Sequence, residues 1–230
     1  ANAHLAADES RKALAALEAA RRVGRATAEI LISIGDLYLN EGLIVSAIEN
    51  YQAALSENPN AAEVGTLRAI EALLVRNQLA AARTVLGSYN ELSSTQATEA
   101  IKERREKLRL WINLSTDDST DAVSDMESYL TNHPLDIDSL VRLADHFQAS
   151  DHSVKAEQLY LQALRIDDTN AAILVKIAQL QAQQRRYAEA LSTVQKAIRL
   201  SNDPNLESYA QQLDLLAKQD ANKIPSPSAR

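Results

Sequence analysis

Six alanines, Ala13, Ala47, Ala81, Ala122, Ala156 and Ala190, recur at intervals of 34, 34, 41, 34 and 34 residues, most of them inside a helix-compatible hydrophobic pattern. A fixed period of a few tens of residues constrains a chain more than its composition does. Each unit is a supersecondary element that cannot bury its apolar face alone, so neighbours have to stack against it. With only 5 Gly, 5 Pro and 4% aromatic residues, beside many Ala, Leu, Glu, Gln, Lys and Arg, the chain favours helix nearly throughout. These features predict an all-α fold without sheet, built as one elongated domain of antiparallel helix pairs.

The clearest unit is 28–61. Leu31, Ile34, Gly35 and Tyr38, spaced three or four apart, share one face of a first helix that ends at Asn40-Glu41-Gly42. A second helix presents Ala47, Tyr51 and Ala54 before Asn58-Pro59 stops it. Small residues stand where the two helices approach closely, and the tyrosines fill the gaps beside them.

This large-small-aromatic first helix, small-aromatic-small second helix and closing proline resemble the tetratricopeptide repeat, a 34-residue helix-turn-helix. Leu31 takes the slot where that family often has tryptophan. Unit 137–170 repeats the reading with Leu140, Leu143, Ala144 and Phe147, then Ala156, Tyr160 and Ala163, and Asp168 in place of the proline. Unit 171–204 has Leu174, Ile177 and Ala178, then Tyr187, Ala190, Val194 and Ala197, but Gln181 departs from the aromatic slot. Unit 62–95 is a degenerate copy, with Gly65 and Arg68 in apolar slots and two registers, one on Ala81 and Val85, the other on Leu79, Ala82 and Leu86. The resemblance implies a right-handed α-solenoid superhelix whose first helices line a concave groove.

The interval of 41 exceeds the period by about two helical turns, so a helix lengthened by that amount keeps its buried stripe in direction. The extra residues are expected at the start of a long helix from about Thr95 to Leu114 in unit 96–136, capped by Ser93, Ser94 or Thr95, with a longer loop at 87–94 as the alternative. Residues 1–27 read as an incomplete first repeat: Ala13, Leu17 and Ala20 match second-helix slots, and Ala1 and His4 fall on a truncated first helix, which suggests further repeats upstream. Residues 205–219 read as a capping helix with the stripe Leu206, Tyr209, Leu213 and Leu216, and 220–230 as a disordered tail.

A net charge of -7 opposes phosphate binding, so no nucleic-acid partner is expected. Zero cysteines exclude thiol catalysis and thiolate metal sites and suit cytoplasm and periplasm alike. No apolar stretch is long enough for a membrane span. Four scattered histidines make no ligand pattern, Asp145, His146, Asp151 and His152 read as helix-turn polarity, and no nucleophile or phosphate-loop motif is present. No catalytic residue, cofactor or metal is assigned.

The expected function is a non-catalytic scaffold that binds a protein or peptide in the concave groove. The alternative is the regulatory or substrate-recruiting arm of an enzyme whose catalytic domain lies upstream. By register the groove candidates are Ile32, Asp36, Leu39, Asn40, Ile70, Lys107, Trp111, Val141, Arg142, Asp145, Gln148, Gln179 and Gln183. The lysine and asparagine with which chaperone-tail clamps of this family grip a carboxylate are absent. Trp111 reads either as a ligand anchor or as interhelical packing. Arg104, Arg105 and Arg109 make a basic helix, read either as self-paired through Glu103–Lys107 and Lys102–Glu106 or as a site for an acidic partner. Apolar surface around Leu14, Leu17 and Val23 at the half-repeat gives a route to self-association.

Overall fold

Left-handed residues recur at one place in the repeat, and they explain why the helices turn where they do. Gly42 (φ 76), Asn77 (φ 56), Asp151 (φ 59) and Arg185 (φ 61) each follow a first helix. At each, two backbone bonds close the helix end: at the first, Gly42 N–H donates to Leu39 O and Leu43 N–H to Tyr38 O; at the last, Arg185 N–H donates to Ala182 O and Arg186 N–H to Gln181 O. The chain then reverses after three residues into a second helix.

The computed structural model describes residues 2–92, 97–116 and 120–221, and among these it shows twelve α-helices and no strand. They fall into two units, Ala1–Asp118 and Ser119–Arg230. The division lies inside the 96–136 repeat that the spacing suggested.

The first unit holds α1 (Asn2–Arg22), α2 (Ala28–Asn40), α3 (Ile44–Glu57), α4 (Pro59–Val75), α5 (Leu79–Leu92) and α6 (Glu99–Thr116). The hairpins are α2–α3 and α4–α5, with α4 packed on both helices of the preceding hairpin and α3 on α5. Asn58 ends α3 in extended conformation and caps α4, accepting the Ala61 N–H at 3.2 Å, while Pro59 occupies the first helical turn, where no intrahelical donor is required. Ile34, Ala47, Tyr51, Ala54 and Leu55 are completely buried. Ala81 and Val85 of one register proposed for α5 and Ala82 and Leu86 of the other all lie inside, while Leu79 is half-buried.

Two expectations for this unit need correction. Helix α1 runs unbroken over 21 residues, so there is no turn between a truncated first helix and a second one. The stretch Ala6-Ala7-Asp8-Glu9-Ser10-Arg11-Lys12 holds no Gly or Pro to break it. Ala13 is exposed and Leu17 and Ala20 are half-buried, and α1 ends at Gly24 (φ 69) in the same left-handed closure as a first helix. Helix α6 is long as expected, 18 residues against 13 in α2, and the other correction is to where it begins. Gly87–Leu92 is helical as part of α5, and α6 begins at Glu99, with Thr98 Oγ1 accepting the Ile101 N–H at 3.4 Å. Thr98 thus takes the capping role, and Ser93, Ser94 and Thr95 lie outside the described residues, as do Ala1 and residues 222–230 of the expected tail.

The second unit holds α7 (Thr120–Asn132), α8 (Ile137–Ala149), α9 (Ser153–Ile166), α10 (Ala171–Gln183), α11 (Tyr187–Leu200) and α12 (Pro204–Ala221). Hairpins α8–α9 and α10–α11 carry the pattern of the first unit, with Asp136 and Asn170 capping α8 and α10. Helix α12 closes a cluster of Leu174, Ala178, Ala190, Val194, Ala197, Leu206 and Leu213, with Tyr209 and Ala210 against it. Leu216, placed on that stripe from sequence, is exposed instead.

Candidate protein-binding surface

The polar side chains of the first helices do not wait unpaired for a ligand; one joins the next along each unit. Asp36 on α2 accepts from Tyr51 Oη on α3 at 3.0 Å and from Arg68 Nη2 on α4 at 2.6 Å. Asn40 accepts from Arg76 at 2.9 Å. Glu71 on α4 takes a bidentate bond from Arg104 on α6, at 2.8 and 2.7 Å, and Tyr89 donates to Glu63 at 2.6 Å. The second unit repeats the device. Asp145 on α8 accepts from Tyr160 Oη on α9 and from Lys176 Nζ on α10 at 2.8 and 3.0 Å, and Gln183 Oε1 accepts from Gln148 Nε2 at 2.9 Å.

Asp36 and Asp145 are hubs that each bind their own hairpin to the next. Burial, reinforced by the charge of Asp36 and the hydrogen bond to it, pushes the Tyr51 hydroxyl far above the usual phenol range. Burial and the bond to Asp145 do the same for Tyr160, and burial with Glu63 for Tyr89. All three stay protonated donors at neutral pH. The pairs are partly exposed, so each contributes little stability by itself; their effect is to fix the orientation of the side chains around them.

Several sequence-derived candidates are not surface at all. Ile32, Leu39 and Ile70 are buried core, a correction to the groove assignment. Helix α2 packs on α4 as well as α3, so its apolar stripe is wider than one hairpin requires, and Ile32 fills the space left by Gly65, where a Cβ would come within 2.8 Å of Ile32 Cγ2. Trp111 is also buried, at 7% exposure, with Lys107 Nζ 4.7 Å from its ring centroid, an arrangement that favours packing over a free anchor.

The basic helix is largely neutralised within the unit. Arg104 is held by Glu71, Arg109 by Glu106 at 2.9 and 2.6 Å, and Lys102 by Glu99 at 2.6 Å rather than by Glu106. Arg105 is half-buried on the same helix. Around Asp145, His146 and His152 set their rings edge-on to Phe147 at 6.0 and 5.9 Å. Among the described residues no group of His, Asp and Glu is arranged to hold a metal, and no helix is long and apolar enough to cross a membrane.

What remains presented is clearest in the second unit. Val141, Arg142, Asp145 and Gln148 on α8 are half-buried, and Gln179 and Gln183 on α10 are exposed. Burial draws the Arg142 guanidinium below its usual value, against the opposing charges of Asp145 and Asp138. Asp138, Arg142, Asp145 and Lys176 balance in charge, and the amides of Gln148, Gln179 and Gln183 supply donors and acceptors together.

The tetratricopeptide repeat profile matches residues 1–62 and 141–205, more than half of the chain. The chain belongs to the tetratricopeptide repeat family. Solved structures agree on the fold. Yeast Tom70 aligns with a TM-score of 0.60 at 14% identity, covering 92% of this chain and 44% of that one. A tetratricopeptide repeat protein from Parabacteroides merdae ATCC 43184 aligns at 0.58 and 16%, covering 90% and 78%. The pilF protein of Pseudomonas aeruginosa aligns at 0.55 and 17%, covering 91% and 92%. At such identities the likeness is one of fold. Comparison with curated proteins gave no match. Within the tetratricopeptide framework, sequence missed Arg68, Glu71 and Lys176 as partners of the candidate acids and of Arg104. The signal was there: opposite charges about one repeat apart, 32, 33 and 31 residues from Asp36, Arg104 and Asp145.

Proposed function

We propose that this chain is a non-catalytic interaction scaffold that holds a protein or peptide segment in a concave groove lined by its first helices. The observation that carries this reading is the surface shared by α8 and α10 in the second unit. The Asp145–Lys176 and Gln148–Gln183 bonds tie its side chains in place before a partner arrives. Such preorganisation lowers the entropy a partner loses on binding. Val141 offers a small apolar contact, and the amides of Gln179 and Gln183 can match the N–H and C=O groups of an extended backbone. In the first unit Asp36, Asn40, Lys107 and the basic helix of Arg104, Arg105 and Arg109 are candidates of lower weight, since Asp36, Asn40, Arg104 and Arg109 are already held by Arg68, Arg76, Glu71 and Glu106.

Affinity capture with the full chain, read by mass spectrometry, tests the reading when run beside Val141→Glu and Gln179→Glu. Gln179 is exposed, Val141 is only half-buried, and neither bears a strut, so folding should survive. Partners retained by the native chain and lost from both variants support the groove; the same partners retained by all three overturn it.

A further inference from the structure

A second recess lies elsewhere in the second unit, between α7, α8 and α9. It encloses about 520 Å³, within the range of sites that accept compact ligands or side-chain anchors. Its floor is apolar, made by Leu130 of α7, Leu143 and Phe147 of α8, and Leu159 of α9. On α8, the side turned to this recess is about 130° around the helix axis from the one that carries Val141, Asp145 and Gln148. The recess is therefore distinct from the groove.

Its origin is in the packing of second helices. In the first unit α3 lies along α5, and Gln52 Nε2 bridges to Ser88 Oγ at 2.8 Å. In the second unit neither α7 with α9 nor α9 with α11 makes a comparable seam, and α7 touches α8 over less of its length than α9 touches α10. The space a seam would fill stays open above the leucines and Phe147.

Two opposite charges flank the opening. Lys155 on α9 sits with Nζ 4.8 Å from the Phe147 ring centroid, and Glu127 stands on the α7 wall. Neither has an ion-pair partner among the described residues, so both charges are available to a bound segment. Gln158 and Gln162 complete the α9 rim.

We propose that this recess docks a peptide segment of a protein partner. The segment seats one bulky apolar side chain on the leucine and phenylalanine floor, with an acidic residue toward Lys155 and a basic residue toward Glu127. The apolar anchor supplies the affinity, while the two rim charges fix the direction in which the segment lies.

A random peptide library selected against the full chain tests this. Enriched peptides should share a bulky apolar residue with an acid on one side and a base on the other. Lys155→Glu should weaken them about tenfold, and exchanging the peptide acid for lysine should restore binding to that variant. Gln162→Trp, which crowds the opening without touching the floor, should abolish binding while the thermal transition stays in place. Selected peptides indifferent to both substitutions would overturn the proposal. So would a homodimer that Lys155→Glu dissociates, since the occupant would then be a second copy. Enrichment only after removal of 222–230 would equally overturn it, by assigning the recess to the chain's own end.

Discussion

Replacing Gly35 by alanine probes the closest approach in the α2–α3 hairpin. A Cβ at Gly35 would lie 2.5 Å from Tyr51 Cε1, 2.8 Å from Cδ1 and 3.0 Å from Cζ, well inside van der Waals contact. The ring has no room to retreat. Tyr51 is fully buried, and its hydroxyl is tied to Asp36, which Arg68 holds from the next hairpin. Forcing a methyl into a packed core costs about 1–3 kcal/mol, whereas Gly→Ala inside a helix recovers about 1 kcal/mol of propensity. The clash here is with three atoms of an immobile ring, so the upper part of that range applies and the net loss is about 1–2 kcal/mol. Gly87 on α5 is the control: it is helical too, but a Cβ there meets nothing within 4 Å. Gly87→Ala should therefore stabilise the same unit by about 0.5–1 kcal/mol. Urea unfolding of the full chain, followed by helical circular dichroism, reads both. Equal stabilisation by the two substitutions would refute the claim that Gly35 is required by contact with Tyr51.

Three further outcomes follow from particular residues. Arg185 holds φ 61 at the α10–α11 turn where Gly42 does the same work without a side chain, so Arg185→Gly should raise the unfolding free energy of the second unit by about 1 kcal/mol in chemical denaturation. Thr66 Oγ1 is buried without a hydrogen-bond partner, and Thr66→Val, of nearly the same shape, should raise the thermal midpoint by relieving about 1 kcal/mol of desolvation cost; a lowered midpoint would mean the hydroxyl is satisfied in solution. For Tyr51, Tyr89 and Tyr160, burial first and acid partners second raise the folded ionisation above the ordinary value of 10.0. The unfolded chain then ionises first, so their contribution is whole below about pH 10 and declines as pH rises beyond it. Replacing all three by phenylalanine should flatten that alkaline decline in urea titrations; an unchanged slope would contradict the assignment.

Much of the hairpin core was legible in sequence because it rests on local spacing. Leu31, Ile34, Gly35, Ala47, Tyr51 and Ala54 lie inside, as do Leu140, Leu143, Ala144, Ala156, Tyr160 and Ala163. The misreadings of the first helices have one physical origin. A helical wheel drawn for one hairpin sees one partner, while α2 and α4 each have neighbours on two sides. Ile32, Leu39 and Ile70 fall outside the single-hairpin stripe and inside the two-neighbour one. Gly65 looked like a defect in an apolar slot, yet it is the complement of Ile32 on the preceding hairpin. The same blindness hid the struts, since Arg68 and Lys176 acquire meaning only against Asp36 and Asp145 one repeat back. Helix α1 was misread for another reason: second-helix slots recur at the right spacing, but nothing between Asn2 and Arg22 breaks the helix.

The central functional claim is that partners meet the first helices. A photo-crosslinking amino acid at Gln179, exposed on α10, and another at Gln195, exposed on α11, address it directly in the full chain. Covalent capture of the groove partner is expected from Gln179 and not from Gln195. Capture from Gln195 alone would contradict that claim.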